Sequence, residues 1–225
     1  MINEKLRRAK AFFFDLDGTL VDSEELHKLA YITILENDAP QLVEKFNYDE
    51  LRGRTTKESL LFLGLDDRQA TELTLKKQNA YRTFVSEGKL RTIPLMEEIF
   101  KMLSSRGDVY IVTGSARETV KKVLKNLGLT DFVKGIIAAE DVTNSKPHPE
   151  PYIIALNLSQ KNADEAIVIE DSENGIKSAT AAGIFTISID EKYDHPLSMN
   201  LTPEELLEEI KKLISVCKQL QNEDK

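Results

Sequence analysis

Apolar and polar positions follow two rhythms along this chain, and the switch between them lays out the architecture. Ala11-Phe12-Phe13-Phe14 is an unbroken apolar run with no period-two alternation, closed by Asp15. Such a run suits a strand covered on both faces in the middle of a parallel sheet. Val109 to Val112, Ile136 to Ala138, Ala166 to Ile169 and Ile184 to Ile189 read as further strands. Between and after them the sequence predicts helices over Leu95 to Ser104, Arg117 to Asn126, Pro149 to Leu156, Glu173 to Ala182 and Pro203 to Gln219. Pro94 is placed to start the first of these and Gly128 to stop the second. Strands alternating with helices predict an α/β fold, a doubly wound parallel sheet of Rossmann-like layout.

Residues 22–91 break that rhythm. Helical periodicity runs over Glu24 to Glu36, Asp49 to Gly53, Thr56 to Leu63 and from Asp66 or Asp67 to about Glu87, without one alternating run. The expectation is an all-helical unit, 22–91, inserted into a core of 1–21 and 92–225. Its hinges fall at Val21-Asp22 and Arg91 to Pro94. Asp22 or Ser23 is placed to cap the first helix, with Glu25 as the capping-box partner of Asp22.

Composition narrows the function. At 225 residues, 41% hydrophobic and 30% charged, this is a globular composition with room for a core and a smaller insert. A net charge of -8 disfavours nucleic acid as a partner, since phosphate backbones need a basic face. No apolar run is long enough for a membrane span, and MINEKLRRAK is not followed by a signal-peptide core, so a cytoplasmic protein without a membrane partner is expected. Cys217 is the only cysteine, which removes an intrachain disulfide and a cysteine zinc site. It shares the stripe Leu206, Ile210, Leu213, Cys217, Leu220 and reads as a core residue.

The candidate chemistry sits where strands end. Asp15 and Asp17 follow the first strand two residues apart, so on extended backbone their side chains leave on one side, and Gly18 lets the chain turn. Two carboxylates this close repel unless a cation neutralises them or one keeps its proton. Thr113-Gly114-Ser115 follows the second strand and Glu170-Asp171 another, while Lys146 lies in the stiff segment Ser145 to Pro149. In an open parallel sheet ligands bind beyond the carboxyl ends of the strands, so these groups should converge.

FDLDGTLVDSE, IVTGS, SKPHPEPY and IEDSENGI, in that order, resemble the four signatures of the haloacid dehalogenase-like hydrolases. The resemblance covers residues 10 to 190 and is closest to the β-phosphoglucomutase-like branch. It implies a phosphatase with nucleophilic Asp15, acid/base Asp17, Thr113 and Lys146 on the phosphoryl group, and a magnesium site drawn from Asp15, Asp17, Glu170 and Asp171. It implies that the helical insert is a mobile cap, with His27 near the active-site mouth. It also implies a small phosphorylated metabolite, a sugar phosphate, as substrate, with Gly114, Ser115, His27, Arg52, Gly53, Arg54 and Lys77 binding it, and a monomeric enzyme. Dehalogenases of the family have a different residue where Asp17 stands. In the mutases an arginine of the loop resembling LRGRTTKESL grips a second phosphate, at the position held here by Thr56. A phosphosugar mutase is therefore the alternative, and a non-catalytic phosphosugar-binding or partner-binding protein the more distant one.

Overall fold

The structure, a computed structural model, describes residues 2–51, 55–190 and 193–223. In chain order, α1 (Ile2–Arg8) precedes β1 (Ala11–Phe14), and β2 (Val21–Asp22) opens into α2 (Glu24–Asp38), α3 (Thr56–Phe62) and α4 (Asp67–Ser86). β3 (Arg91–Thr92) is followed by α5 (Met96–Ser104), β4 (Asp108–Val112), α6 (Arg117–Asn126), β5 (Val133–Ile137) and α7 (Glu150–Ser159). Then come β6 (Ala166–Glu170), α8 (Glu173–Ala181), β7 (Phe185–Ser188), β8 (Ser198–Asn200) and α9 (Pro203–Glu223).

Six strands form one parallel sheet in the order β5-β4-β1-β6-β7-β8. β1 lies inside it because its four side chains are apolar and all buried: Phe12 and Phe14 enter the core on one face, Ala11 and Phe13 the core on the other. The first face is covered by α1, α5, α6 and α9, through residues such as Leu6, Phe100, Val123 and Ile210. Tyr152 and Ala155 of α7 and Ala179 of α8 cover the second. Each buried phenylalanine contributes roughly 1.5–3 kcal/mol, which fixes the centre of the sheet and so the ridge from which Asp15 emerges. Phe14 stands opposite Ile111 on β4 and Ile169 on β6, so three strands end level with one another.

The chain leaves this core through β2 and returns through β3, which pair antiparallel with Val21 opposite Thr92. The helices between them have their own core, built from Tyr31, Ile34, Leu35, Leu42, Leu60 and Leu73. The far end of α4 joins the main core instead, through Tyr81 and Val85. Among the described residues no helix is long and apolar enough to cross a membrane.

Several local expectations need correcting. No capping box forms at α2, whose N-cap is Ser23 without a side-chain cap hydrogen bond; Asp22 is committed to β2 opposite Arg91. Pro94 does not begin α5. Ile93 N–H donates to Leu20 O (3.1 Å), which keeps the chain with the β2–β3 ribbon, and the helix starts at Met96 behind a left-handed Leu95. The strand expected at Ile136 to Ala138 runs from Val133 to Ile137, on a sheet edge where Lys134 and Gly135 are tolerated. α1 and β8 were not foreseen. The Cys217 and Leu220 side chains, and Arg52, Gly53 and Arg54 altogether, lie outside the described residues.

Candidate active site

β1 delivers Asp15 to the carboxyl edge of the sheet with its backbone still tied down, since Asp15 N–H donates to Ile169 O of β6 (3.0 Å). The chain then turns: Gly18 has φ +86°, in the region that favours glycine, and its N–H donates to Val21 O (2.9 Å). This turn presents Asp17, partly buried, beside buried Asp15.

The two aspartates face different partners. Lys146 donates to Asp15 Oδ1 (2.6 Å), to Glu170 Oε1 (2.5 Å) and to Val112 O (2.9 Å), which accounts for all three ammonium protons. Burial opposes the Lys146 charge, but the carboxylates of Asp15 and Glu170 hold its pKa well above the usual lysine value. Asp15 is pushed upward by burial, with Lys146 opposing and the charges of Glu170 and Asp171 adding to the rise. Asp17, by contrast, receives Ser115 Oγ–H on Oδ2 (2.6 Å) and, on Oδ1, Tyr81 O–H (3.4 Å) and His27 Nε2 (3.3 Å). Burial alone would raise Asp17; the hydrogen bonds from His27, Ser115 and Ser23 outweigh it and leave its pKa lowered.

Glu170 ends β6 with no exposure to solvent. Its Oε1 also accepts from Tyr152 O–H (3.1 Å), and its Oε2 accepts the N–H groups of Asp171 and Ser172 and the Ser172 hydroxyl. Gly175 of α8 lies so close that a Cβ there would stand 1.7 Å from Oε1. This carboxylate is spoken for on both oxygens. Carboxylate oxygens of Asp15, Glu170 and Asp171 lie within 4.8 Å of one another. Burial and the charge of Glu170 raise Asp171 to about 7.

Over this edge sits α4. Lys77 is 5% exposed, its Nζ 2.7 Å from His27 Nδ1 and 4.8 Å from the centre of the Tyr31 ring. Burial lowers it to about 8. A lysine donating to Nδ1 leaves Nε2 as the ring's donor toward Asp17, and the His27 ring stacks on Tyr81 at 4.2 Å.

The sheet edge therefore gathers Asp15, Asp17, Thr113, Lys146, Glu170 and Asp171 from segments far apart in sequence, with His27 and Lys77 above. Thr113, buried, accepts Ser115 N–H on its hydroxyl (3.1 Å) and holds that turn; Gly114 beside it is exposed. Lys77 is paired and boxed by rings rather than free to meet an anion. Tyr152, Ser23 and Thr19 join the site without a sequence signal of their own, apart from the place of Tyr152 behind Lys146 in SKPHPEPY; Tyr81, which with Lys77 resembles a cap element of the family branch, reaches Asp17 and His27.

A family model described as haloacid dehalogenase-like hydrolase matches residues 12–189. The chain belongs to that family. Among curated relatives of this hydrolase, the pyrophosphatase PpaX of Bacillus pumilus is 33% identical over 186 residues, 78% of this chain and 81% of the relative. The fructose-1-phosphate phosphatase YqaB of Escherichia coli is 26% identical over 190 residues, covering 81% and 97%. The crystal structure of CbbY from Rhodobacter sphaeroides, in complex with phosphate, superposes with a TM-score of 0.75 at 21% identity, over 89% of this chain and 96% of that one. That likeness establishes the fold for the hydrolase core and its inserted helices.

Proposed function

We propose that this hydrolase is a magnesium-dependent phosphatase acting on small phosphomonoesters, sugar phosphates foremost, through a phosphorylated Asp15. One observation carries the reading: the two aspartates of one turn have been given separate environments, Asp15 beside a lysine and further carboxylates, Asp17 beside neutral and histidine donors. A pair with divided surroundings is what a nucleophile and a proton shuttle need.

The residues present fit a divalent cation. Asp15 and Asp171 are both raised by burial and by neighbouring carboxylate charge, an arrangement that a cation relieves. The donors are all oxygens, which suits magnesium. Asp15, Asp171 and the main-chain carbonyl of Asp17 would hold it, with Glu170 acting on Lys146 instead. When bound, magnesium offsets the repulsion between a carboxylate and a phosphate dianion.

Asp15 attacks phosphorus in line, the ester oxygen departs and takes the proton of Asp17, and an aspartyl-phosphate remains. Water then attacks phosphorus, yields its proton to Asp17 and frees Asp15 and inorganic phosphate. The described geometry holds Asp17 in its base form, the one required for this second half. A phosphate dianion beside it raises its proton affinity and supplies the acid form for the first. Lys146 supplies positive charge beside the phosphoryl group, while the Thr113 hydroxyl and the Gly114 N–H can donate to its oxygens.

Water as final acceptor is favoured over a second sugar hydroxyl. A mutase has to grip a distal phosphate, a task for bidentate arginine. Thr56 stands at the start of α3, and Lys77 is already engaged with His27. The names of the two curated relatives, one for a sugar phosphate and one for pyrophosphate, support phosphate hydrolysis and set the panel to be tested. Sugar phosphates, pyrophosphate and an aryl phosphate, each with magnesium and with excess chelator, should show magnesium-dependent phosphate release; undiminished turnover in chelator overturns the reading. Efficient conversion of β-glucose 1-phosphate to glucose 6-phosphate, primed by the 1,6-bisphosphate and with little phosphate released, would establish the mutase instead.

A further inference from the structure

We infer that Thr19 is a positioning residue for the cation, its hydroxyl selecting which oxygen of Asp171 faces the metal. This rests on the reading of Asp15, Asp171 and the Asp17 carbonyl as the metal site. Thr19 has no solvent exposure, and its Oγ1 donates to Asp171 Oδ1 at 2.7 Å, bridging 152 positions of sequence. The other oxygen lies on the neighbouring side of the same turn. A Cβ built on Gly18 would stand 2.3 Å from Asp171 Oδ2, so that oxygen rests against the residue joined by its peptide to the Asp17 carbonyl.

The Gly18-Thr19 pair thus clasps the Asp171 carboxylate from two directions. Thr19 occupies Oδ1, and the bare Gly18 leaves room for Oδ2 against the turn. Asp171 itself is partly exposed and begins the loop after β6, and the Thr19 hydroxyl is a fixed point for its rotation. A buried hydroxyl needs some partner, and filling that need would by itself explain a Thr19–Asp171 bond. The two roles separate in metal affinity. A partner chosen only to satisfy the hydroxyl affects folding. Groups that orient a metal ligand typically cost 10–100-fold in metal affinity when removed.

Magnesium is titrated calorimetrically into substrate-free wild type, Thr19→Val, Thr19→Ala and Thr19→Ser, with the metal-free melting of each variant recorded to show that it is folded. The expected result is binding about 10–100-fold weaker for the valine and alanine variants, and recovery of most of that loss by serine, which keeps the hydroxyl. Thr19→Ala guards against valine crowding the site, since it lacks the hydroxyl and adds no atoms. Equal affinity in wild type and a folded hydroxyl-free variant overturns the Thr19 role while leaving the metal site standing. Failure of wild type itself to bind magnesium overturns the metal reading, and the role of Thr19 with it.

Discussion

Lys146 Nζ stands 2.5 Å from Oε1 of Glu170, a carboxylate with no access to solvent. The ammonium is thereby held from behind while it reaches Asp15 in front at 2.6 Å. A buried charge left without its partner is expensive. Lys146→Met should abolish turnover and lower stability at pH 7 by about 3–5 kcal/mol, because Glu170, Asp15 and Asp171 then face one another unneutralised. Urea unfolding of the metal-free protein measures this, and an unchanged midpoint would contradict the pairing.

Glu170→Gln distinguishes holding the lysine from holding the metal. The amide keeps the shape but loses the charge and one acceptor. With both oxygens of Glu170 already committed to Lys146, Tyr152 and the 171–172 turn, magnesium affinity should change little. Turnover should fall about 10²-fold, as expected for a misplaced catalytic group. A large loss of magnesium affinity with turnover preserved at saturating metal would make Glu170 a ligand.

The aspartates should fail differently. Asp15→Asn removes the nucleophile and both chemical steps. Asp17→Asn removes the shuttle, worth about 10²–10⁴-fold, and should spare much of the phosphorylation step with nitrophenyl phosphate, whose leaving group needs no proton. Burst kinetics with nitrophenyl and alkyl esters separate the two; a near-normal Asp15→Asn enzyme would reverse the assignment.

Lys77 carries a pH signature. Its value of about 8, against an ordinary 10.5, means that the unfolded chain binds more protons between those two pH values. Stability should therefore rise with pH across that window, the penalty being fully present below pH 8. Lys77→Met should flatten the rise and add stability at pH 7, on the order of 3 kcal/mol, while lowering turnover because His27 loses its partner. Denaturant midpoints at pH 7 and 10 decide it: an equal slope in the variant assigns the dependence elsewhere.

What the sequence disclosed follows physical lines. A strand buried on both faces advertises itself, so β1, β4 and β6, and with them the places of Asp15, Thr113 and Glu170, were legible from apolar runs. β8 was not, because its half-exposed Ser-Met-Asn lacks any pattern. Nor was the use of Ser23: hydroxyls at helix starts usually cap, whereas this one serves Asp17. The partners of Asp17, Glu170 and Asp171 include side chains 10 to 152 positions away, and no local rule carries that distance.

The sheet's order also governs how the chain is made. β1 is synthesised early, yet its neighbours β4 and β6 begin at residues 108 and 166. At a synthesis rate of about 5–20 residues per second, Ala-Phe-Phe-Phe waits roughly eight to thirty seconds for its second partner. An unpaired apolar β segment is an invitation to aggregate, and natural chains flank such segments with charge. Lys10 stands immediately before this one, Asp15 and Asp17 immediately after. Charge on either side of the segment is thus placed to oppose such pairing while the chain is still being made.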